Sequence, residues 1–223
     1  MKRVHVICEG QTEETFVNEL LAPHLLAFDV LPVASLVGKP GHKGGNVTTI
    51  RMSRDICLRL LGDKHAWCTT FFDYYGLATD FVGKAAAERL AGFAQKAQAV
   101  EDALRAQILA QTDDNEIRRF IPYIQMYEFE GMLFSDPERM AAGLFANEVG
   151  ADLVAIRRAF ASPEEINDSP ETAPSKRILG LVPSYDKPLC GSLAAIEIGL
   201  PGIRNACLRF DAWVGRLEAL GRH

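Results

Sequence analysis

The stretch "VHVICEGQTEETF", Val4 to Phe16, sets the reading of the whole chain. Its apolar beginning has the composition of a first buried strand, Val4 to Cys8, and it stops abruptly at Glu9 and Gly10. A helix is expected from Thr12 to about Phe28, with Phe16, Leu20, Leu21 and Leu25 at helical spacing. Glu13 and Glu14 stand in its first turn, where the helix dipole favours negative charge. Carboxylates at the carboxyl end of a strand serve a hydrophobic core badly and a metal ion well. The fold and the function therefore turn on whether other acids meet them there.

Working outward, Val30 to Val37 reads as a second strand, which makes a βαβ start. "GKPGHKGGN" is too rich in glycine for regular structure and is expected as a loop carrying Lys39, His42 and Lys43. A helix from about Thr49 to Leu61 leads to "AWCTTFFDYYG", whose unbroken apolar run suits a strand buried on both faces and ends in Asp73. An Ala-rich segment from Lys84 to about Ala110 favours one long helix. Phe120 to Met126 reads as a fourth strand running into "YEFEGMLFSD". Three strands thus lead to carboxylates: Glu9, Asp73, and Glu128 with Glu130.

The remainder reads as helical. Pro137 follows Asp136 as a first-turn proline, "SPEE" at Ser162 to Glu165 has capping-box spacing, and Pro201 opens a helix zone in which Phe210, Trp213, Val214 and Leu217 can pack. Alternating strands and helices predict an α/β fold, a mostly parallel sheet flanked by helices with a helical C-terminal extension; residues 1–136 form the expected core and 137–223 the extension. In such sheets functional groups collect beyond the carboxyl ends of the strands.

Composition narrows the field. At 223 residues, 48% hydrophobic and 24% charged, the chain is an ordinary globule and neither disordered nor fibrous. A net charge of −5 means that a nucleic acid or nucleotide must be held by a local basic cluster or through cations. The five cysteines, Cys8, Cys57, Cys68, Cys190 and Cys207, are scattered without zinc spacing and read as reduced, packed residues. The apolar run before Glu9 is short for a signal peptide and nothing is long enough to span a bilayer, so a cytoplasmic location is expected.

Mg²⁺ and Mn²⁺ prefer carboxylate oxygens and water, and they assist phosphodiester cleavage by activating water and stabilising charge on the leaving oxygen. Glu9, Glu13, Asp73, Glu128 and Glu130 are the candidate metal ligands, and Gly10 permits close approach of backbone or substrate. Glu128 and Glu130 share a face only if the strand continues through them. On a helix they diverge by about 200°.

"VICEGQTEETF" followed by "FFDYYG" resembles the Toprim fold, in which a Glu after the first strand precedes a Gly and a later strand ends in Asp-x-Asp. With "YEFEGMLFSD", "NDSPETAPSKRI" and "YDKPLCG", nearly the whole chain resembles an uncharacterised family of bacterial Toprim-like proteins. That resemblance implies a metal-dependent nuclease-like centre related to the overcoming-lysogenization-defect nucleases, and partnership with ATPases in mobile-element or phage-defence settings. It implies that Glu9 acts as general acid or base or as a metal ligand, with Glu13 and Asp73 binding metal. Tyr75 stands where the second Asp of Asp-x-Asp belongs, which leaves Glu128 or Glu130 to supply the missing ligand.

Lys176, Arg177 and Lys187 lie in "PSKRILGLVPSYDKPLCG" and are candidate catalytic cations that contact phosphate, Arg177 being the better bidentate group. The expectation is a Toprim-like nuclease or phosphodiester-processing protein using Mg²⁺ or Mn²⁺. The alternative is a noncatalytic Toprim-like module that binds an ATPase or nucleic acid.

Overall fold

A computed structural model describes residues 1–37, 47–167 and 170–222; Lys39, His42 and Lys43 lie outside the described residues. The chain forms two compact units, Met1–Gln125 with Arg216–His223, and Met126–Gly215.

The first unit is built on a parallel sheet. Strands β1 (Lys2–Cys8), β2 (Val30–Leu36), β3 (Trp67–Asp73) and β4 (Phe120–Ile121) lie in the order β2-β1-β3-β4, and β5 (Ile124–Gln125) also pairs with β3. Every pairing is parallel: Val4 faces Trp67, Cys8 faces Phe71, Cys68 faces Phe120 and Phe72 faces Ile124. The expected α/β sheet with flanking and C-terminal helices is the observed one.

From β1 the chain moves to β2 on one side, then returns past β1 to β3 on the other. With the usual right-handed crossovers, connections in opposite directions place the intervening helices on opposite faces, and the carboxyl ends of β1 and β3 are where such sheets form a crevice. The first crossover is α1 (Gln11–Phe16), a π-helical turn Val17–Leu21 and α2 (Ala22–Leu26); the second is α3 (Thr49–Gly62). Both faces of β3 are covered, which is why Cys68 to Asp73 are all buried. Phe71 packs edge-on against Phe16, with centroids 5.7 Å apart, and lies 5.9 Å from Tyr123.

Two elements differ from the sequence reading. The single fourth strand is two short ones, because Pro122 has no N–H to give to the ladder. Thr70 closes the gap: its buried hydroxyl donates to Tyr123 O and accepts the Tyr123 N–H, each at 2.9 Å. The Ala-rich helix is also divided, into α4 (Lys84–Ala87) and α5 (Phe93–Leu109), with Gly92 in extended backbone as the cap of the second part. Glycine is about 1 kcal/mol worse than alanine inside a helix, so the break falls where continuation is least favoured.

A short helix, α6 (Asp114–Arg118), completes the first unit, and the second unit is helical. Here α7 (Glu130–Leu133), α8 (Pro137–Gly143), α9 (Gly150–Arg158), α10 (Pro174–Leu181), α11 (Ser192–Ile198) and α12 (Leu200–Ala206) follow in order. Gly143 lies so close to the backbone of Ala194 that a Cβ there would stand 2.5 Å from its Cα, fixing a small residue where α8 crosses α11. The carboxylate of Glu164, 1% exposed, accepts the N–H groups of Arg209 and Phe210 and caps the helix Leu208–Glu218. Pro137 opens α8 behind its Asp136 cap, and Ser162 and Glu165 make the expected capping box, around a single 3₁₀ turn. All five cysteines are free and four are buried.

The bridging hydroxyl of Thr70 gives a direct test of the sheet. Thr70→Val keeps the shape and leaves the buried Tyr123 N–H unsatisfied, so a loss of about 1–3 kcal/mol is expected from the urea midpoint at unchanged m-value. A loss below about 0.5 kcal/mol, the range of an ordinary surface change, would contradict the role.

Candidate functional site

Glu9 and Asp73 stand immediately beyond β1 and at the last residue of β3, side by side at the crevice. The pairing of the two strands runs on past Cys8, since the Glu9 N–H donates to Phe71 O at 3.3 Å. The Glu9 side chain then turns back across the edge, and its Oε2 accepts the Asp73 N–H at 3.1 Å. Both Glu9 oxygens lie directly over Gly76 in the 3₁₀ turn Tyr74–Gly76, where any Cβ would overlap them. A side chain at 76 would push the Glu9 carboxylate aside. Asp73 is 4% exposed, while Glu9 keeps partial exposure.

Glu13 is 2% exposed in the first turn of α1, and its Oε2 accepts the Gly10 N–H at 2.9 Å. That bond is the reciprocal half of a capping box and gives Glu13 a structural duty in addition to any ligand role. Glu14 is only partly buried on the same turn.

Lys84, a residue that sequence reasoning passed over, belongs to this edge. It is 7% exposed; its Nζ donates to Leu77 O at 2.5 Å and lies 5.4 Å from the centre of the Tyr74 ring. Burial lowers its pKa, and the carboxylates of Glu88 and Glu9 oppose that fall. A cation in the first turn of a helix opposes the dipole, so a lysine directly after Gly83 was the signal that another partner holds it.

Glu128 and Glu130 belong to the second unit and have their own partners there. The strand ends at Gln125 and a helical turn starts at Glu130, so the condition for both acids to share one strand face is not met. Glu128 accepts the Ser175 N–H at 2.8 Å and the Ser175 hydroxyl at 3.0 Å, across the first turn of α10. Glu130 is 1% exposed, with the Tyr185 hydroxyl 3.2 Å from Oε1 and the Lys187 Nζ 3.2 Å from Oε2. Burial pushes the Glu130 carboxyl up, the Lys187 ammonium opposes the rise and Glu128 adds to it. Burial, helped by Glu130, also pushes the Tyr185 phenol up, so its O–H stays available as a donor.

Among the proposed cations, Lys187 is thus tied to Glu130 and also lies 5.9 Å from the Phe129 ring. Arg177 donates to Thr172 O at 2.7 Å and stacks 5.2 Å from the Phe160 ring, whereas Lys176 is exposed. The three stretches "YEFEG", "PSKR" and "YDKPLCG" therefore meet in one cluster, with the lysine and serine of two of them engaging the glutamates of the first.

The donors at the crevice are carboxylate oxygens, the type that Mg²⁺ and Mn²⁺ prefer. Among the described residues no group of three or more His, Cys, Asp or Glu side chains forms a ready ligand set. The arrangement suits an ion that takes one or two carboxylates and completes its shell with water and substrate oxygens, the usual habit of Mg²⁺ with phosphates.

Residues 8–218 match the model of a family described as a domain of unknown function, DUF4276, and the chain belongs to that family. No curated protein and no solved structure matches the chain significantly. Among the described residues no helix is long and apolar enough to cross a membrane.

Two outcomes are expected from this geometry. Because the Glu130 pKa is raised by folding, its contribution favours the fold at pH below its unfolded value near 4.3 and is lost as pH rises through the folded value. Lys187→Met removes the opposing charge, so its deficit relative to wild type, about 1–3 kcal/mol with Lys187 a third exposed, should be present at neutral pH and shrink toward pH 4. Urea titrations across pH read this, and adding Glu130→Gln to Lys187→Met should flatten the dependence. In the first unit, Gly76→Ala must displace the Glu9 carboxylate; a crystal structure of that variant with Glu9 unmoved would refute the close contact.

Proposed function

We propose that the crevice edge of the first unit is the active centre of a Toprim-like, Mg²⁺- or Mn²⁺-dependent phosphodiester-processing protein. One observation carries the reading: Glu9 and Asp73 stand at the carboxyl ends of adjacent central strands, at the point where the strand order reverses, with Gly76 leaving the edge without a side chain. Glu9 is the partly exposed acid and therefore the one that reaches substrate.

In this reading Glu9 and Asp73 would hold the ion, and Glu13 would be a further candidate ligand. A bound divalent ion lowers the pKa of its water and offsets charge on the phosphate oxygens. Glu9 would also accept a proton from the attacking water as the bond from phosphorus to the leaving oxygen breaks, the leaving oxygen taking its proton from solvent. Lys84 lies behind the edge and balances part of the acidic charge, which keeps the carboxylates together before substrate arrives. The exposed Lys176, with Arg177 and Lys187, belongs to the second unit, where these cations are proposed as phosphate contacts of that unit alone.

A second reading has its own support. No three-ligand set exists among the described residues, and Tyr75 stands in place of the second Asp of the Toprim pattern. Both fit a noncatalytic module that binds an ATPase or nucleic acid.

The test combines calorimetric Mn²⁺ titration with cleavage assays on single-stranded DNA, RNA and mononucleotides, alone and with an ATPase partner. Metal-dependent turnover should fall by about 100-fold or more in Glu9→Gln, the scale of a lost acid or base. Metal binding should weaken in Asp73→Asn. Absence of metal binding at millimolar concentration, with no turnover alone or with the partner, refutes the enzyme and leaves the binding module.

A further inference from the structure

At the opposite end of β3 from Asp73, the first unit has a cavity of about 420 Å³, within the usual range of about 300–1,000 Å³ for small-molecule sites. Trp67, the first residue of β3, lines it. The strand spans seven residues, so the cavity lies about 20 Å along the sheet from the carboxylate edge. It shares no residue with that edge.

Three guanidinium groups line this cavity: Arg105 from α5, Arg118 from α6 and Arg216 near the end of the chain. Two acids are also present, and both have other engagements. Glu101, 5% exposed, accepts the Ile124 N–H at 2.9 Å, and the exposed Asp102 accepts a hydrogen bond from Gln98 at 2.7 Å. Arg105 holds Phe120 O through one nitrogen at 2.9 Å, which fixes its plane against the edge of β4 and leaves the rest of its fork for another acceptor.

Three guanidinium groups against two carboxylates leave the lining net positive, which favours an anion. Arginine in this number favours bidentate acceptors such as phosphate. Most of the remaining lining is apolar and includes Trp67, Phe120, Ile121, Pro122 and Leu220. A ligand matching both halves carries a phosphate and a planar ring, because aromatic stacking and arginine contacts together are how proteins hold nucleotide units.

We propose that this cavity binds a nucleoside phosphate, with the phosphate on Arg105, Arg118 and Arg216 and the base against Trp67. The ligand is either a free nucleotide or one unit of a single strand. The site stands apart from the reading of Glu9 and does not depend on it.

Calorimetric titration with AMP, adenosine and a short single-stranded oligonucleotide tests the proposal. Trp67 fluorescence gives the location, since the other tryptophan, Trp213, is only 3% exposed. AMP or the oligonucleotide should bind saturably and quench Trp67. Binding should weaken about tenfold or more in Arg118→Gln/Arg216→Gln, as expected when charge-assisted contacts are lost. Both side chains are exposed, and an unchanged urea midpoint confirms that the double variant folds.

AMP binding identifies a free nucleotide as sufficient, and binding by the oligonucleotide alone identifies a strand; either supports the site. Binding should persist in Glu9→Gln, which separates this proposal from the one above. Three results overturn it: no saturable binding by AMP or oligonucleotide at millimolar concentration, adenosine binding as tightly as AMP, or affinity unchanged in the double arginine variant.

Discussion

The contact of the Glu9 carboxylate with the backbone of the 73–76 turn governs the first unit's candidate centre. A charged side chain at the end of a central strand must find hydrogen-bond donors or remain in water, because an unpaired buried charge costs several kcal/mol. Glu9 finds one in the Asp73 N–H, and to reach it the carboxylate must cross the position that a side chain on Gly76 would occupy. Three features follow from that one constraint: the glycine at 76, the turn directly after Asp73, and the buried Lys84 whose ammonium holds Leu77 O close to the concentrated negative charge. The parallel pairing of β1 with β3 supplies the frame, since it fixes both acids at the same end of neighbouring strands.

The second unit handles its acids differently. Glu128 and Glu130 are compensated within the unit, the former by an N–H and a hydroxyl of Ser175 and the latter by Tyr185 and Lys187. Breaking such a buried pair on one side costs more than the pair contributes to stability, so the cluster specifies one arrangement of three separate chain segments. At the crevice Asp73 and Glu13 are almost fully buried, and the buried Lys84, whose pKa burial lowers, interacts with the Glu9 carboxylate.

Much of the sheet was legible in the sequence because it depends on local pattern. The unbroken apolar run from Trp67 to Phe72 marked a strand buried on both faces, and the acids ending β1 and β3 showed directly where the strands stop. The division of the fourth strand was less visible, since Pro122 announces a broken ladder but not the Thr70 hydroxyl that repairs it. Lys84 was hidden by the helical composition around it. The partners of Glu128 and Glu130 were unreadable for a simple reason: Ser175, Tyr185 and Lys187 are 47 to 57 residues away, and no periodicity links positions that far apart. The arginine-lined cavity was missed on the same ground, its charges coming from three separate segments.

A crystal structure in millimolar Mn²⁺, read by anomalous scattering, tests the central claim most directly. The account predicts a peak within direct coordination distance of Glu9 or Asp73 oxygens that disappears in Glu9→Gln. A peak seated on other residues, or none while Glu9 stays bonded to the Asp73 N–H, would contradict it.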